Sequence, residues 1–495
     1  MKAHLLYPGQ DFDFKASLPR GHEDLIQDLE LTTPLTAMAA GDDFLYDVSA
    51  RVLLASLTDP EAIRYRQRVL ADCIAEPGVI RQIYAIAAGA LQDKRRLWGF
   101  TGSHYPSSVL SAAISQLEVL IARLRELRQV ADEHAGQFSS DGLTTLLRTL
   151  QLELDDEYFE TLNHHLKELQ FRNGELMSAR LDRDNSGINY VLLSRGSRRS
   201  WKERIGIEPR SVYSFTIPPR DEAGTQALEA MTSRGINLVA NAAAQSADHV
   251  TSFFTMLRAE AGFYVSCLNL HDRFAAAAVP VSLPEPLAPL PSRFSCQDLR
   301  DASLALRTDR IIGNDVNADG RPLVIITGAN SGGKSTFLRS VGIAQLMMQC
   351  GMFVTARSLR AGVCSRVFTH FIREEDPEMI SGRLDEELSR MSAIADRIGR
   401  HDLVLFNESF AATNEREGSE IGRQVVRALL EAGAMVFFVS HQFDFADSFR
   451  RHQPGTALFL RAPRQPDGRR TFKLTLAEPL PTSYGQDIYD RIGGW

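Results

Sequence analysis

The sequence predicts a multidomain protein in which an all-α domain is followed by an α/β domain. Two patterns support this fold class. Apolar residues recur every three or four positions in the first part of the chain, whereas short apolar runs alternate with helical stretches in the last part. Five prolines between residues 280 and 291 separate the two patterns, and a helix cannot pass through such a segment. We therefore place a domain boundary near residue 280.

Composition narrows the class of protein. The 495 residues suggest two to four domains, at roughly 150 residues per domain. Hydrophobic residues make up 44% and charged residues 24%, the usual balance of a soluble globular protein. No run of ~18 or more uncharged apolar residues stands out, so we expect no membrane span. The net charge of −7 argues against a protein that coats nucleic acid with its whole surface, but it allows a local basic surface.

The cysteines and the first residues predict a compartment. Five cysteines are scattered without a C-x-x-C pair, which favours reduced thiols over a disulfide framework or a zinc site. The start, MKAHLLYPGQ, lacks the charged-then-apolar order of a secretory signal. We therefore expect a cytoplasmic protein.

Helical spacing dominates the first part of the chain. In VLSAAISQLEVLIARLRELRQV, apolar residues are spaced as on one side of an amphipathic helix. These residues are Leu110, Ile114, Leu117, Ile121 and Leu124. A second long helix, ending at Phe274, is predicted from ADHVTSFFTMLRAEAGFYVSCLNLHDRF.

A parallel sheet is predicted in the last part. Buried parallel strands have short apolar runs such as those in PLVIITG, DLVLF and AMVFFVS. The first run leads into G-x-x-x-x-G-K-S, with Gly328, Gly333, Lys334 and Ser335 at the fixed positions, and then into a helix. This order predicts a phosphate loop, whose backbone N–H groups and helix dipole bind phosphate oxygens. Lys334 is expected to reach the β- and γ-phosphates of ATP, and Ser335 to hold Mg²⁺.

Two other strand ends carry candidate catalytic residues. Asn407 and Glu408 follow the apolar run Leu403–Phe406, where related sites carry acids that support the metal and orient the attacking water. Asn407 is uncharged, so we expect weaker Mg²⁺ binding. Glu408 is either the catalytic base or only the end of a strand. His441, which follows AMVFFVS, either senses the γ-phosphate or has a structural role.

A series of blocks in this part resembles the MutS family of DNA mismatch repair ATPases, a branch of the ABC-type ATPases. In order, the blocks are IIGNDV, ITGANSGGKST, GMFVTA, SRVFTHF, NESFAATNEREG, VSHQFDF and PTSYGQDIYDRIGG. Ala329 stands where the family usually has Pro, and Asn407 where it has Asp. The helical stretch Leu57–Pro77 resembles the start of the family's core.

The resemblance implies the organisation of the whole chain. It predicts an N-terminal segment (1–44), an all-α core/lever domain (45–280) with a clamp insertion near 170–235, a Pro-rich linker (281–300) and an α/β P-loop ATPase domain of ABC type (301–495). Glu408 and His441 would be catalytic, and Asn407 would hold the metal through water. The implied contacts of ATP and Mg²⁺ are Ile312, Gly328, Asn330, Ser331, Gly332, Gly333, Lys334, Ser335 and Thr336.

DNA binding is expected in the clamp insertion. Arg and Lys outnumber Glu in Arg195–Arg210, which also contains Trp201. Such a mixture suits phosphate contacts and base stacking, or else it forms a solvated loop. The residues before the core contain no Phe-x-Glu segment of the kind with which the family reads mismatches, so we do not expect mismatch reading by that route, while mismatched or branched duplex stays among the candidate ligands. The candidate DNA contacts are Arg195, Arg198, Arg199, Lys202 and Arg204.

The resemblance also implies a homodimer, because each nucleotide in the family is contacted by a signature segment of the partner. That place is taken here by SGRLDEELSRM, from Ser381 to Met391. The family's Ser-Thr pair is missing, and Ser381 or Ser389 would substitute for it. Three acids in this segment would repel a phosphate unless they point away or pair with basic residues.

Three functions stay open. The first is an ATPase that binds DNA as a dimeric clamp, related to mismatch repair or DNA-structure recognition. The second is an ATP-dependent dimer switch that does not hydrolyse its nucleotide. The third is an RNA- or ribosome-associated ATPase of the MutS type. Glu408, His441 and the intact loop favour hydrolysis, whereas Asn407 favours the switch.

Overall fold

The chain forms two compact units. The computed structural model describes residues 1–98, 105–172, 174–184, 187–193, 214, 216–289, 292–373, 382–453, 455–465 and 469–481. The helical unit consists of Met1–Ala3, Gln82–Gln137 and Thr145–Arg258. The sheet unit consists of His4–Arg81, Phe138–Thr144 and Ala259–Trp495.

Helices account for most of the chain before residue 280. Within the described residues the helices are α1 (His22–Asp28), α2 (Thr32–Ala39), α3 (Asp43–Leu54), α4 (Pro60–Ala75), α5 (Pro77–Trp98), α6 (Pro106–His134), α7 (Asp141–Glu153), α8 (Asp156–Leu169), α9 (Glu222–Ala276), α10 (Ala302–Ala305), α11 (Lys334–Gln349), α12 (Arg383–Ala395), α13 (Glu415–Glu431) and α14 (Phe443–His452). The strands are β1 (Met177–Leu181), β2 (Gly187–Leu192), β3 (Glu285–Leu287), β4 (Phe294–Leu299), β5 (Asn314–Asn317), β6 (Leu323–Gly328), β7 (Ser358–Gly362), β8 (Val367–Phe371), β9 (Leu403–Asn407), β10 (Met435–Val439), β11 (Ala457–Ala462) and β12 (Thr475–Leu476).

The amphipathic helix predicted in the first part is confirmed as α6. It begins at Pro106, whose fixed φ suits the first helical turn. All five residues of the predicted apolar stripe are buried. By length and composition α6 could also cross a membrane, but the core helix of a globular protein passes the same test.

The second predicted helix is confirmed, but it is longer than expected. α9 begins at Glu222, because the residues before the predicted start are rich in alanine, the best helix former. Strands β1 and β2 pair as an antiparallel hairpin, so residues 45–280 are not purely helical. Both strands are largely exposed, and they therefore lack the apolar alternation from which a half-buried strand is predicted.

The sheet unit is built on a six-stranded sheet of order β12-β11-β6-β10-β9-β8. The three strands predicted from apolar runs are confirmed: β6, β10 and β9 are parallel neighbours. Their side chains are almost entirely buried, as in sheets covered on both faces. Because the strands are parallel, their carboxyl ends meet at one edge of the sheet, where α/β proteins bind ligands.

A second sheet, of order β3-β7-β4-β5, uses residues of the predicted linker. β3 and β4 both lie within residues 281–300. Pro286 is tolerated because β3 is an edge strand, where a missing N–H costs no internal hydrogen bond.

Three residues of the segment 4–12, Leu5, Leu6 and Phe12, are buried in the sheet unit. The carboxylate of Glu260, on α9, accepts hydrogen bonds from the backbone N–H groups of Leu5 (2.5 Å), Leu6 (3.3 Å) and Phe12 (3.2 Å). Burial raises the pKa of Glu260 to about 7, although these N–H donors oppose the shift. The carboxylate thus replaces the backbone partners that this segment would have in a sheet.

Candidate nucleotide site

The loop between β6 and α11 depends on glycine at both ends. Gly328 has a φ of +105° and Gly333 a φ of +91°, values that other residues rarely adopt. A Cβ at Gly328 would also lie 2.5 Å from the carbonyl oxygen of Ala462 on β11. The glycines therefore let the backbone turn into the N-terminus of α11, where unpaired N–H groups and the helix dipole attract anions.

Lys334, the first residue of α11, is buried against this loop. Its Nζ donates to the carbonyl oxygens of Gly328 (3.3 Å) and Ala329 (3.0 Å). Burial lowers the pKa of the amine to about 8, while Glu408 opposes this shift and Arg470 adds to it. An anion bound in the loop would restore the full charge, because a nearby negative charge favours the protonated amine.

The side chains of Ser335 and Asn407 contact each other next to the phosphate loop. Ser335 Oγ, on α11, donates to Asn407 Oδ1, at the end of β9, over 2.8 Å. Both residues offer hard, uncharged oxygens of the kind that Mg²⁺ accepts. The pair therefore fits a magnesium ion, but with less charge than a carboxylate would provide.

Glu408 and His441 form a contacting pair. They follow β9 and β10, which are adjacent parallel strands, and His441 Nε2 lies 2.8 Å from Glu408 Oε1. This hydrogen bond lowers the pKa of Glu408, with burial opposing the shift. Glu408 is therefore ionised at neutral pH, as a group that accepts a proton from water must be.

These side chains surround one cavity of about 700 Å³. Gly328 and Asn407 are not among the lining residues. Each forms a hydrogen bond with a residue that is, Gly328 with Lys334 and Asn407 with Ser335. The sequence-predicted residues that line the cavity are Ile312, Asn330, Ser331, Gly332, Gly333, Lys334, Ser335, Thr336, Glu408 and His441. The structure thus brings together residues from four separate stretches of the sequence.

The loop after β11 adds residues that sequence analysis missed. Phe472 lines the cavity, and its carbonyl accepts a hydrogen bond from Asn314 Nδ2 (3.3 Å). The Asn314 side chain in turn accepts one from the Leu474 N–H (2.6 Å). Arg470 Nε donates to the carbonyl of Asn330 in the phosphate loop (3.1 Å). No local sequence pattern relates Arg470 to a segment 140 residues earlier.

Other predicted residues lie elsewhere. In the described part of the proposed signature segment, Ser389 is exposed. Glu387 is turned into the protein, with Oε2 accepting a hydrogen bond from the Phe410 N–H (2.6 Å), so this acid does not face a phosphate at the helix surface. Six of the predicted residues lie outside the described part of the chain: Ser381, Arg195, Arg198, Arg199, Lys202 and Arg204.

Fold and site together define a class of protein. A parallel sheet carries, at its carboxyl edge, a glycine-rich loop, a buried lysine and an ionised carboxylate, and this is the arrangement of α/β phosphate-binding proteins. Residues 58–277 match the family model described as "MutS2 N-terminal domain", and residues 324–490 match the one described as "MutS domain V". The chain belongs to the MutS family.

Curated relatives align with parts of their length. The DNA mismatch repair protein MutS of Synechococcus elongatus is 24% identical over 454 residues, which cover 79% of this chain and 48% of that protein. The Endonuclease MutS2 of Leuconostoc citreum is 32% identical over 144 residues, or 29% of this chain and 17% of that protein. The MutS protein of Chloroflexus aurantiacus is 30% identical over 195 residues, or 38% of this chain and 20% of that protein. The chain thus spans about half the length of the first relative and less of the others.

Proposed function

We propose that the protein binds and hydrolyses ATP and binds DNA as a homodimeric clamp. Membership of the MutS family supports ATP and DNA as its ligands. The observation that carries hydrolysis is the Glu408–His441 pair, 2.8 Å apart on the wall of the cavity into which the phosphate loop opens.

The residues of the site divide the work. The loop N–H groups and the Lys334 amine bind phosphate oxygens, and Ser335 with Asn407 holds the metal. When bound, ATP supplies the phosphoanhydride bond that is cleaved, and Mg²⁺ neutralises part of the phosphate charge. Glu408 orients the attacking water and takes up its proton. His441 keeps the Glu408 carboxylate ionised and correctly aimed.

The proposed partners rest on other features. DNA binding rests on the family and on the basic segment Arg195–Arg210, with mismatched or branched duplex as candidate ligands. The homodimer rests on the segment Ser381–Met391, which would complete the site of the partner. A cytoplasmic location is supported by the cysteines, all five of which are free and buried.

A second candidate is an ATP-dependent dimer switch without hydrolysis. The Ser335–Asn407 pair favours it, because neither side chain brings negative charge to the metal. Weak Mg²⁺ binding would leave ATP bound but its terminal phosphate poorly neutralised. The switch and the ATPase share one nucleotide cavity and differ only in turnover.

The test is a Glu408→Gln variant. Removing the base while keeping the phosphate loop should leave ATP affinity within about twofold and lower turnover at least about 100-fold. Phosphate release measures turnover, and equilibrium binding of labelled ATP measures affinity. Glu431→Gln, an exposed glutamate on α13, is the matched control.

Two results would change this assignment. Hydrolysis at the wild-type rate by Glu408→Gln would remove Glu408 as the base. Tight ATP binding without any turnover in the wild-type dimer would establish the switch instead.

A further inference from the structure

The turn that carries Glu408 has an unusual backbone. Glu408 and Phe410, neither of them glycine, have φ values of +57° and +62°. Bulky residues hold such left-handed conformations only where surrounding contacts impose them. The contacts around this turn therefore decide where the Glu408 carboxylate points.

Part of the turn is held by the main sheet and its neighbours. The Glu408 N–H donates to the carbonyl of Val439 at the end of β10 (2.9 Å). Gln442 Nε2 donates to the Phe410 carbonyl (3.1 Å). Gly418 on α13 approaches so closely that a Cβ there would lie 2.2 Å from the Phe410 carbonyl oxygen. These contacts come from backbone or from residues next to His441.

Two further side chains reach the turn from α12 and β8. Glu387 Oε2 accepts a hydrogen bond from the Phe410 N–H at 2.6 Å. His370 places Nδ1 2.7 Å from Ser409 Oγ and Nε2 2.9 Å from the backbone carbonyl of Glu387. Glu387 and His370 are thus joined to each other and to two consecutive residues of the turn. Neither lines the nucleotide cavity.

The protonation state of His370 determines which of its two ring nitrogens donates a hydrogen bond. The ring is fully buried, and burial lowers its pKa to about 4, so it is neutral at physiological pH. A carbonyl can only accept, so Nε2 carries the proton and donates to the Glu387 carbonyl, which leaves Nδ1 as an acceptor. Ser409 Oγ lies between this nitrogen (2.7 Å) and the backbone carbonyl oxygen of His370 (2.6 Å), to which its hydroxyl donates. The ring also stacks on Phe410, with centroids 5.5 Å apart and planes 25° apart.

We propose that Glu387 and His370 are positioning residues for ATP hydrolysis. They hold the turn from Glu408 to Phe410 in its left-handed conformation, and this conformation brings Glu408 against His441. The proposal rests on the proposed ATPase function. Glu387 belongs to the segment that would face the nucleotide of a partner subunit. The proposal also gives this acidic residue a role in its own chain.

The test compares two substitutions at one position. Glu387→Ala removes the acceptor of the Phe410 N–H and should lower kcat about 10- to 100-fold, the loss expected when a catalytic group is misplaced by about 1 Å. The Kd for ATP should stay within about twofold, because the phosphate loop is unchanged. Glu387→Gln keeps an acceptor oxygen and should restore kcat to within about threefold.

Two controls separate positioning from general damage. Asp396→Ala removes an exposed acid at the other end of α12 and should leave kcat and Kd at wild-type values. His370→Asn keeps a polar atom near Ser409 but loses the bond to the Glu387 carbonyl, so it should lower kcat with Kd unchanged. If Glu387→Ala does not fold, His370→Asn tests the proposal in its place.

A wild-type kcat in both Glu387→Ala and His370→Asn would overturn the proposal. So would a parallel loss of ATP affinity, kcat and Tm, because that pattern identifies a structural role only. If the wild-type protein itself hydrolyses no ATP, the proposed function fails, and crystal structures of the variants then decide the inference. A Glu408 carboxylate that has left His441 supports positioning, and one that has not moved refutes it.

Discussion

At the scale of single residues, the site combines one buried cation with one paired carboxylate. Burial lowers the pKa of Lys334 to about 8, whereas the bond from His441 lowers the pKa of Glu408. A bound triphosphate would raise the pKa of Lys334 again, because it places negative charge beside the amine. Nucleotide binding and proton uptake are therefore linked.

We expect ATP affinity to fall as pH rises through about 8. Above that pH the free protein must take up a proton on binding, and the charged fraction of Lys334 drops about fivefold between pH 8 and 9. Calorimetric titration in buffers of different ionisation heat measures both affinity and proton uptake. Lys334→Arg keeps its charge and should show no such fall, so equal pH dependence in the two proteins would contradict the linkage.

Asn407 gives a second residue-scale prediction. Asn407→Asp should lower the Mg²⁺ concentration for half-maximal ATP hydrolysis by about 5- to 10-fold, because it adds a charged oxygen beside Ser335. Magnesium titrations of phosphate release measure the change. Asn414→Asp adds the same charge at the N-cap of α13, outside the cavity, and should leave the requirement unchanged. If Asn407→Asp also leaves it unchanged, this side chain does not act through the metal.

At the scale of elements, sequence analysis succeeds where the signal is local. The strand, loop and helix around Lys334 depend on a buried apolar run, on glycines with positive φ and on a helix start, all within about 30 residues. The same holds for α6, because the apolar residues whose spacing predicts this helix are all buried.

The elements that were missed depend on distant partners. Phe472 reaches the cavity through a bond between its carbonyl and Asn314, 158 residues earlier. Glu387 is one of three acids that would repel a partner's phosphate unless they point away, and its hydrogen bond with the backbone N–H of Phe410 holds it inward. No pattern within either segment encodes these pairings, since they arise only when the sheet has formed.

The bond between α9 and residues 4–12 gives an element-scale prediction. The folded pKa of Glu260, about 7, lies above its value of 4.5 in an unfolded chain. The folded state therefore holds more protons between these values, and the contribution of Glu260 to stability is fully present below pH 4.5 and is lost as pH rises through about 7. A shift of this size corresponds to about 3 kcal/mol.

Glu260→Gln should remove this loss of stability. Urea denaturation between pH 5 and 8 should give a free energy of unfolding that falls less steeply with pH in the variant than in the wild type. Glu23→Gln, an exposed glutamate on α1, should keep the wild-type slope. Identical slopes for Glu260→Gln and the wild type would show that Glu260 is ionised in the folded protein throughout this range.

At the scale of the whole molecule, the proposed function requires two ligands to act on one equilibrium. The helical unit contains the proposed clamp, the sheet unit contains the nucleotide cavity, and the residues of α9 are divided between them at Arg258. If ATP changes DNA affinity, DNA must change ATP affinity by the same factor. A ligand with equal affinity for both states would shift nothing.

We expect DNA affinity to differ about 5-fold or more between the ATP and ADP states, the lower end of typical allosteric coupling. Fluorescence anisotropy on a dimer confirmed by light scattering, with plain, mismatched and branched duplex and with RNA, measures the difference and identifies the ligand. Combined alanine substitution of Arg198, Arg199, Lys202 and Arg204 should weaken binding and reduce its salt dependence by about 0.9 log unit for each phosphate that is no longer neutralised. Basal ATP hydrolysis should survive. Equal DNA affinity in both nucleotide states would refute the clamp.

The binding of residues 4–12 to Glu260 also has a consequence for synthesis on the ribosome. Glu260 follows Leu5 by 255 residues, so at about 5–20 residues per second it is made roughly 13 to 50 seconds later. For most of that interval Leu5, Leu6 and Phe12 are outside the exit tunnel without their native partner. The nascent chain must therefore keep an apolar N-terminal stretch from aggregating, and chaperones that bind such stretches have tens of seconds in which to act before the interior of the sheet unit can close.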